Sequence, residues 1–327
     1  MRKFILSIAA MLSCMAALAD TNPTVLIHYE GTTATITIPS EASSYVSCTS
    51  GSSSHVNIQQ SSTAADNPGE IIYKLSGTSD DGEFYLTGEY KTTIQLDGLV
   101  LTNPDSTAIH IKNGKRIKIS MATGTESTLV DGATDPESKG CIHSKGHTEF
   151  VGKGTLNVTS NICHAIYSKE YVEIKNCSIN VKGAKNDGIH CQQYFKMTSG
   201  AVNISDVDDD GIRVELKGET PTQGSDSEDE DTGNFYMAGG SLTISNVGDK
   251  CIKTDGTIAY TGGTQNFTLT NVEENANTTA IQSVRFTDSD AEAVFDLSGR
   301  QLPKDALRKK GIYIIRSQQS TRKVIVK

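Results

Sequence analysis

The clearest pattern in the chain is a small residue followed by isoleucine, which recurs through its middle part. The pairs are Ala108-Ile109, Cys141-Ile142, Ala165-Ile166, Gly188-Ile189, Gly211-Ile212 and Cys251-Ile252. Successive isoleucines lie 33, 24, 23, 23 and 40 residues apart. An acidic insertion at 217–233 accounts for the long last interval, and an extra loop near 131–138 accounts for the first. The underlying repeat is therefore about 23 residues long, and an internal period of this size is typical of solenoid architectures.

Other apolar positions keep a fixed offset from the anchoring isoleucine. In two successive repeats they are Val172, Ile174, Ile179 and Val181, then Phe195, Met197, Val202 and Ile204. This alternation of apolar and polar positions predicts three short strands per repeat. Three such strands cannot enclose a core, so successive rungs must stack about 4.8 Å apart with their strands paired in parallel. A propeller blade would need about 40 residues. The sequence predicts an all-β fold whose residues 91–275 form a parallel β-helix.

The segments that flank the repeat are predicted to be smaller β-structures. Residues 20–90 contain strand-like runs such as Ala34–Ile38 but lack the rung register. We expect this segment to form an N-terminal β cap, because an open stack would expose unpaired strand edges. Residues 281–327 are predicted to be a small C-terminal β module.

The first 19 residues carry the pattern of an export signal. Arg2 and Lys3 precede the apolar run 4–12, and the small residues Ala17 and Ala19 precede a cleavage position before Asp20. This predicts a secretory signal peptide at 1–19 and a secreted or outer-surface protein. A lipoprotein signal with cleavage before Cys14 is the alternative. No later stretch approaches the roughly 20 apolar residues that a membrane helix needs.

Charge and cysteine content narrow the range of partners and bonds. Loss of the signal peptide moves the formal net charge from −9 to −11, which argues against nucleic acids and anionic membranes as partners. Six cysteines remain after cleavage, at positions 48, 141, 163, 177, 191 and 251. They allow three disulfides in an oxidising compartment or, alternatively, buried free thiols that fill small core positions. The sequence leaves this choice open.

Aligned on the anchor, several motifs resemble a bacterial carbohydrate-binding β-helix family whose founding member comes from a cellulolytic clostridium. The motifs are those at 152–159, His164-Ala165-Ile166, Asn186-Asp187-Gly188-Ile189, Asp209-Asp210-Gly211-Ile212 and 239–244. The resemblance implies a right-handed, pectate-lyase-like fold that binds calcium and acidic or cellulosic plant polysaccharides. Lys139-Gly140 and Cys163-His164 depart from the acidic residues that the family often carries at these rung positions.

The C-terminal residues resemble a second family, the sorting modules of Bacteroidetes type IX secretion. The segments that carry this resemblance are 294–300, 310–315 and 323–327. It implies the secretion machinery as a partner and delivery to the cell surface. The alternative is a terminal β module that packs on the end of the β-helix.

Acidic residues cluster just before the anchor of three successive rungs. Asn186, Asp209 and Asp249 lie three residues before it, and Asp187 and Asp210 lie two residues before it. Stacking would hold these carboxylates about 5 Å apart, where they repel each other unless a cation neutralises them. Calcium takes about six to eight oxygen ligands and would bridge adjacent rungs. The five residues are therefore a candidate calcium site, and the alternative is a solvated turn with ordinary Asx hydrogen bonds.

One residue after the anchor lie His143, Tyr167, His190, Arg213 and Lys253. Because the isoleucines point inward, strand alternation turns all five side chains outward on one face. Hydrogen-bond donors, a ring and two fixed positive charges suit a sugar chain that bears carboxylates. The alternative is an ordinary surface strip, and the absence of tryptophan argues against a flat platform for crystalline cellulose.

The favoured function is therefore calcium-dependent binding of acidic or plant cell-wall polysaccharides by a non-catalytic monomer. One alternative is a pectate-lyase-like enzyme with Arg213 or Lys253 as the base, although neither lies in a recognisable catalytic motif. Another is a structural or adhesion protein without a glycan ligand. The acidic run at 226–231 is interpreted as a solvated loop, with weak additional calcium binding as its alternative.

Overall fold

The computed structural model describes residues 22–61, 69–132, 134–135, 137–226, 228–267, 293–296, 299–303, 311–316 and 321–326. The predicted signal peptide lies outside these ranges, as does the join between the β-helix and the C-terminal module. All regular structure within the described ranges is β-strand, which confirms the all-β prediction. No helix among these residues is long and apolar enough to cross a bilayer.

The strands of the described ranges are short and follow one another closely. In chain order they are β1 Thr24–Glu30, β2 Thr33–Thr37, β3 Val46–Cys48, β4 His55–Gln60, β5 Glu70–Ser79, β6 Glu83–Gly88, β7 Lys91–Leu96, β8 Val100–Asn103, β9 Ile109–Asn113, β10 Ile117–Met121, β11 Glu126–Asp131, β12 Gly140–Ser144, β13 Thr148–Gly152, β14 Thr155–Thr159, β15 His164–Ser168, β16 Val172–Ile174, β17 Ser178–Val181, β18 Ile189–Gln192, β19 Tyr194–Met197, β20 Ala201–Val207, β21 Ile212–Glu215, β22 Asn234–Met237, β23 Ser241–Val247, β24 Ile252–Thr254, β25 Ile258–Tyr260, β26 Thr264–Phe267, β27 Ala293–Phe295, β28 Gln301–Leu302, β29 Gly311–Arg316 and β30 Thr321–Val326.

Parallel pairing arranges most of these strands into three faces. The anchor face consists of β4, β6, β9, β12, β15, β18, β21 and β24. The second face runs from β7 through β10, β13, β16, β19 and β22 to β25. The third face runs from β8 through β11, β14, β17, β20 and β23 to β26. Strand β5 pairs with both β7 and β8, so the second and third faces belong to one sheet. The chain visits the three faces in turn, which confirms the predicted three-strand rung.

The anchoring isoleucines define the register between rungs. Ile142 lies opposite Ile109 on one side and Ile166 on the other. The same column continues to Ile252 through Ile189 and Ile212, and all six side chains are fully buried. Because side chains alternate along a strand, burial of this column turns the next residue of each strand to the outside. The predicted register is confirmed.

The small residue before the anchor has a steric cause. A Cβ atom at Gly211 would lie 2.6 Å from the carbonyl oxygen of Cys251 and 2.7 Å from Cγ2 of Ile244. Real Cβ atoms do not approach other heavy atoms so closely, because the interior is already close-packed. The corner between the third face and the anchor face therefore has no space for a large side chain.

Parallel pairing begins closer to the N-terminus than the anchor pattern indicated. Phe84 of β6 lies opposite Ile109, and Val56 of β4 lies opposite Phe84. The anchor column thus extends into the segment 20–90, where other apolar residues replace isoleucine. The antiparallel pairs β1–β2 and β3–β4 lie N-terminal to the regular rungs.

Three further features bear on the predictions from sequence. The six cysteines of the described residues are free thiols, four of them buried, as in the second of the two alternatives. The acidic insertion is folded back on the rungs, since the backbone oxygen of Glu228 lies 3.2 Å from His147 Nε2. Strands β27–β30 form a separate antiparallel sheet. That sheet agrees with the predicted β content of 281–327, but it does not test the sorting role.

Candidate functional site

Aromatic rings form a continuous column on the outside of the anchor face. We call Tyr85, His110, His143, Tyr167 and His190 the aromatic ladder, because each is paired in register with the next. Successive ring centroids are 5.0, 4.5, 5.1 and 5.3 Å apart. The two central imidazoles stack with an interplanar angle of 14°. The ladder therefore spans five rungs with a half-buried, ring-lined surface.

The first two members of the ladder were missed by the sequence analysis. His110 directly follows the anchor Ile109, so the repeat pattern itself places it in this column. Tyr85 follows Phe84, which does not match the small-residue and isoleucine motif. Only the backbone pairing of β6 with β9 shows that Tyr85 belongs to the same column.

A row of lysines runs beside the aromatic ladder. Lys112, Lys145 and Lys169, here called the lysine row, are exposed and lie two residues after ladder positions on successive rungs. Together with His110, Ile111 and His143 they line an open depression of about 200 Å³. Lys112 also lies over the ring of Tyr85, with Nζ 5.3 Å from the centroid. The lysine row occupies a second outward position of each rung, two residues beyond the one from which the candidate residues were predicted.

Local carboxylates offset the lysine row only in part, through an electrostatic interaction between Glu83 and Lys112. Within the part of the chain that the structure describes, Lys112, Lys145 and Lys169 form no ion pair. Three ammonium groups on adjacent rungs repel each other, so this arrangement favours a bound anion. The row is thus a positively charged strip on an otherwise acidic protein.

The two predicted cations of the column have different surroundings. Arg213 continues the outward column but lies 2.7 Å from Asp255 Oδ1 and 3.4 Å from Glu215 Oε1. Lys253 Nζ lies 3.3 Å from Asp210 Oδ2. Both residues are outward on the anchor face as expected, but their charges are already paired within the protein. The role of these two residues in binding a sugar chain stays a prediction.

The predicted acidic set divides into two parts. Asp187, Asp209 and Asp210 offer carboxylate oxygens that all lie within 4.8 Å of one another. Asp249 instead lies 2.9 Å from Lys250 Nζ, and its other oxygen faces Lys253. The side-chain nitrogen of Asn186 points to the Cys163 sulfur at 3.9 Å. Three of the five predicted metal ligands therefore converge, and hard carboxylate oxygens of this kind suit calcium.

Asp187 is held by groups on both sides. Its Oδ1 accepts the backbone N–H of Asp210 at 3.0 Å, and its Oδ2 lies 2.8 Å from His190 Nδ1 and 3.1 Å from His164 Nδ1. Burial acts to raise the pKa of Asp187, but the hydrogen bonds with the two histidines outweigh it and lower that pKa. Burial, followed by repulsion from Asp187, raises the pKa of Asp210 to about 6. The two stacked carboxylates thus differ strongly in proton affinity.

The histidines of the site also differ from one another. Burial, together with nearby positive charge, lowers the pKa of His143 to about 3 and that of His110 to about 4. These two rings are neutral at pH 7. For His164, burial is outweighed by hydrogen bonds with Asp187 and Cys163, which raise its pKa to about 9. The central rings of the aromatic ladder are therefore uncharged, and the positive charge beside them comes from neighbouring lysines, the lysine row among them.

Comparison with known proteins identifies the family. The family described as "Carbohydrate-binding domain-containing protein" matches residues 52–301. The chain belongs to this family. A family relative from Acetivibrio thermocellus, described in the same words, is 31% identical over 120 residues. That match covers 34% of this chain and 42% of the relative, so it spans less than half of the relative's length.

A solved structure shares the fold of this family member. The polysaccharide lyase-like protein from C. thermocellum, determined as a gadolinium derivative, aligns with a TM-score of 0.57. The alignment covers 75% of this chain and 94% of that chain at 21% sequence identity. At this identity the likeness concerns the fold alone. The expected carbohydrate-binding family is confirmed, whereas the clostridial subtype and the sorting tail stay predictions.

The neutral state of His143 predicts a specific pH dependence of stability. The unfolded chain takes up this proton near pH 6.5, whereas folded His143 takes it up only near its pKa of about 3. The free energy of unfolding therefore falls as the pH drops through this window. His143→Phe keeps a ring in the ladder and loses no hydrogen bond at Nδ1, which has no partner among the described groups. Urea unfolding at pH 7.5 and 4 should show a smaller loss of stability in the variant than in the wild type.

The exposed His28 provides the control for this comparison. His28→Phe should leave the pH dependence as it is in the wild type. Equal losses of stability in His143→Phe and the wild type would contradict a buried, neutral His143.

Proposed function

We propose that this protein binds acidic polysaccharides of the plant cell-wall type along the anchor face and does not cleave them. The observation that carries this proposal is the unpaired lysine row beside the half-buried aromatic ladder. Aromatic rings provide apolar surface against which the C–H faces of sugar rings can pack, and lysines attract uronate carboxylates. The family to which the chain belongs supports a carbohydrate ligand. The acidic nature of that ligand follows from the charges of this chain.

The geometry of the lysine row suits a repeating anion. Adjacent rungs lie about 4.8 Å apart, so the backbone positions that carry the three lysines repeat at that interval along the stacking axis. A uronate polymer presents carboxylates at regular intervals along its own axis. Each exposed ion pair contributes only about 0–1 kcal/mol, so affinity has to come from several rungs acting on one chain. The ligand is therefore expected to be a polymer rather than a single sugar.

Local charge explains why the lysine row, and not the C-terminal part of the column, is the centre of this site. The mature chain, with its formal charge of −11, would repel a polyanion unless unpaired cations offset that field. Arg213 and Lys253 are engaged with Asp255 and Asp210, so a ligand would have to break those pairs first. His143 and Tyr167, also predicted from sequence, lie beside the lysine row and stay in the proposed site.

Calcium dependence is part of the proposal, with Asp187, Asp209 and Asp210 as the protein ligands. Their oxygens are of the type that calcium prefers, although a complete shell of about six to eight oxygens requires further donors. Bound calcium would neutralise the repulsion between these carboxylates and offer a coordination position to a sugar carboxylate. Asp249, which is paired with Lys250 and Lys253, is left out of this set.

We further propose that the rungs wind in the right-handed sense and that the protein acts as a monomer outside the cell. The sequence pattern at 1–19 supports export, and the segments within 281–327 support delivery through a type IX machinery. The likeness to the polysaccharide lyase-like structure supports the winding sense.

The lyase alternative needs an uncharged base next to the substrate. For Lys253, burial is outweighed by the neighbouring Asp210, which raises the pKa of the ammonium group. Arginine is a still weaker proton acceptor. Both candidate bases are therefore poorly suited to removing a proton at neutral pH, which supports binding without cleavage.

The first test concerns the lysine row. Lys145→Ala combined with Lys169→Ala should weaken binding to polygalacturonate about tenfold, because two ion pairs of about 0.5–1 kcal/mol each are lost. Binding should be measured by calorimetry or affinity electrophoresis, and its salt dependence should also decrease. Lys153→Ala combined with Lys182→Ala removes the same charge from exposed positions outside the anchor face and is the matched control.

Two outcomes would contradict the proposal. Equal losses in both double variants would mean that only net charge matters and that the proposed face is wrong. A steady rise in ultraviolet absorbance from unsaturated uronate during incubation would establish the lyase alternative instead.

The second test concerns calcium. Excess calcium should raise the melting temperature of the wild type relative to excess chelator, because a ligand of the native state stabilises it by mass action. Asp209→Asn combined with Asp210→Asn should abolish this difference, and Asp249→Asn should preserve it. An unchanged wild-type melting temperature would refute calcium binding, and a loss in Asp249→Asn alone would place the ion elsewhere.

A further inference from the structure

Two imidazoles and one carboxylate converge at the C-terminal end of the aromatic ladder. His164, Asp187 and His190 each offer one ligand atom, and these atoms lie within 4.8 Å of one another. All three side chains are buried, with residue exposures of 5%, 3% and 8%. We propose that these three residues, here called the histidine–aspartate site, bind a divalent transition-metal ion of the zinc class.

The donor set determines the class of ion. Imidazole nitrogen suits zinc, copper, iron and nickel, whereas calcium takes oxygen ligands almost exclusively. Zinc sits about 2.0–2.2 Å from imidazole nitrogen and carboxylate oxygen. The present separations of 2.8 and 3.1 Å between Asp187 Oδ2 and the two Nδ1 atoms allow one small ion to contact all three groups after modest movement. Three protein ligands would leave a coordination position for water or a sugar oxygen.

A carboxylate outside the cluster orients one of the ligands. Glu215 Oε2 lies 3.3 Å from His190 Nε2, on the side of the ring that faces away from Asp187. A hydrogen bond from Nε2 to Glu215 places the proton on that nitrogen and leaves the lone pair of Nδ1 directed to the cluster. Metal-binding histidines are commonly held in this way, by a carboxylate on the other ring nitrogen. Arg213, 3.4 Å from Glu215 Oε1, in turn fixes the carboxylate.

Existing hydrogen bonds compete with a metal ion for this site. Without a metal, Asp187 Oδ2 lies within hydrogen-bonding distance of Nδ1 of both His190 and His164. The backbone N–H of Asp187 also donates to His164 Nδ1 at 3.3 Å, and metal binding at that nitrogen would replace this hydrogen bond. The Cys163 thiol bonds to the His164 side chain but is not one of the three converging groups.

The surrounding charge favours a dication. Asp209 and Asp210 belong to the overlapping carboxylate cluster that shares Asp187. Lys253 pairs with Asp210 and thereby offsets part of this negative charge. The two clusters differ in ligand type, so the histidines distinguish the proposed ion from calcium.

The test uses the mature protein without a histidine tag, made metal-free and titrated with Co²⁺ and Zn²⁺ in the absence of glycan. We expect one Co²⁺ per chain with a visible absorption band, displaced by Zn²⁺ but not by millimolar Ca²⁺. His164→Gln and His190→Gln should each weaken Zn²⁺ binding at least about 100-fold, and Glu215→Gln about tenfold. His28→Gln removes an imidazole from an exposed position outside both proposed sites; it is the matched control and should bind Zn²⁺ as the wild type does.

A second measurement does not depend on any variant. X-ray absorption of the zinc-loaded wild type should show two imidazole ligands in the shell. An all-oxygen shell, absence of a cobalt band, or unchanged affinity in both histidine variants would overturn the proposal. Because no glycan is present, failure here leaves the polysaccharide proposal intact, and failure of glycan binding leaves this one intact.

Discussion

Parallel backbone pairing between rungs is the constraint on which the rest of this structure depends. Each strand is held in register by its neighbours above and below, so a residue always lies beside its equivalents about 4.8 Å away. Inside the stack this is favourable, because Ile166 then packs against Ile142 and Ile189 in one continuous core. Outside the stack the same rule places like beside like, including like charges. The chemistry of the surface therefore depends on which groups neutralise the like charges of each column.

Different columns resolve it in different ways. The carboxylates of Asp187 and Asp210 are balanced by histidines, backbone N–H groups and Lys253. Arg213 and Lys253 are likewise balanced by acids that belong to this chain. The lysine row forms no ion pair within the described residues, although Lys112 lies over the Tyr85 ring, and the row lies beside a half-buried aromatic surface. An unbalanced column on a repeating scaffold is a natural place to bind a repeating anion, and this is why the glycan site is assigned there.

Sequence reasoning recovered the fold better than the site. Position in the rung follows from a periodicity that burial enforces, so the isoleucine column could be predicted from its spacing alone. The rungs that contain Val56 and Phe84 were missed because any apolar residue of suitable volume fills that position. The pairing of Arg213 with Asp255 depends on a long side chain that extends to the neighbouring rung. An alignment of the rungs predicts which face a residue lies on but not which ion pairs its side chain forms. For the same reason, a residue whose outward orientation is predicted correctly can still have its charge paired within the protein.

The central claim is that an acidic polysaccharide lies along the lysine row of the anchor face. It is tested most directly by lysine-acetylation footprinting of the wild-type protein, read by mass spectrometry with and without polygalacturonate. The polymer should protect Lys112, Lys145 and Lys169 from acetylation, whereas Lys153 and Lys182 should react equally in both conditions. Uniform protection of all five, or protection confined to Lys153 and Lys182, would contradict it.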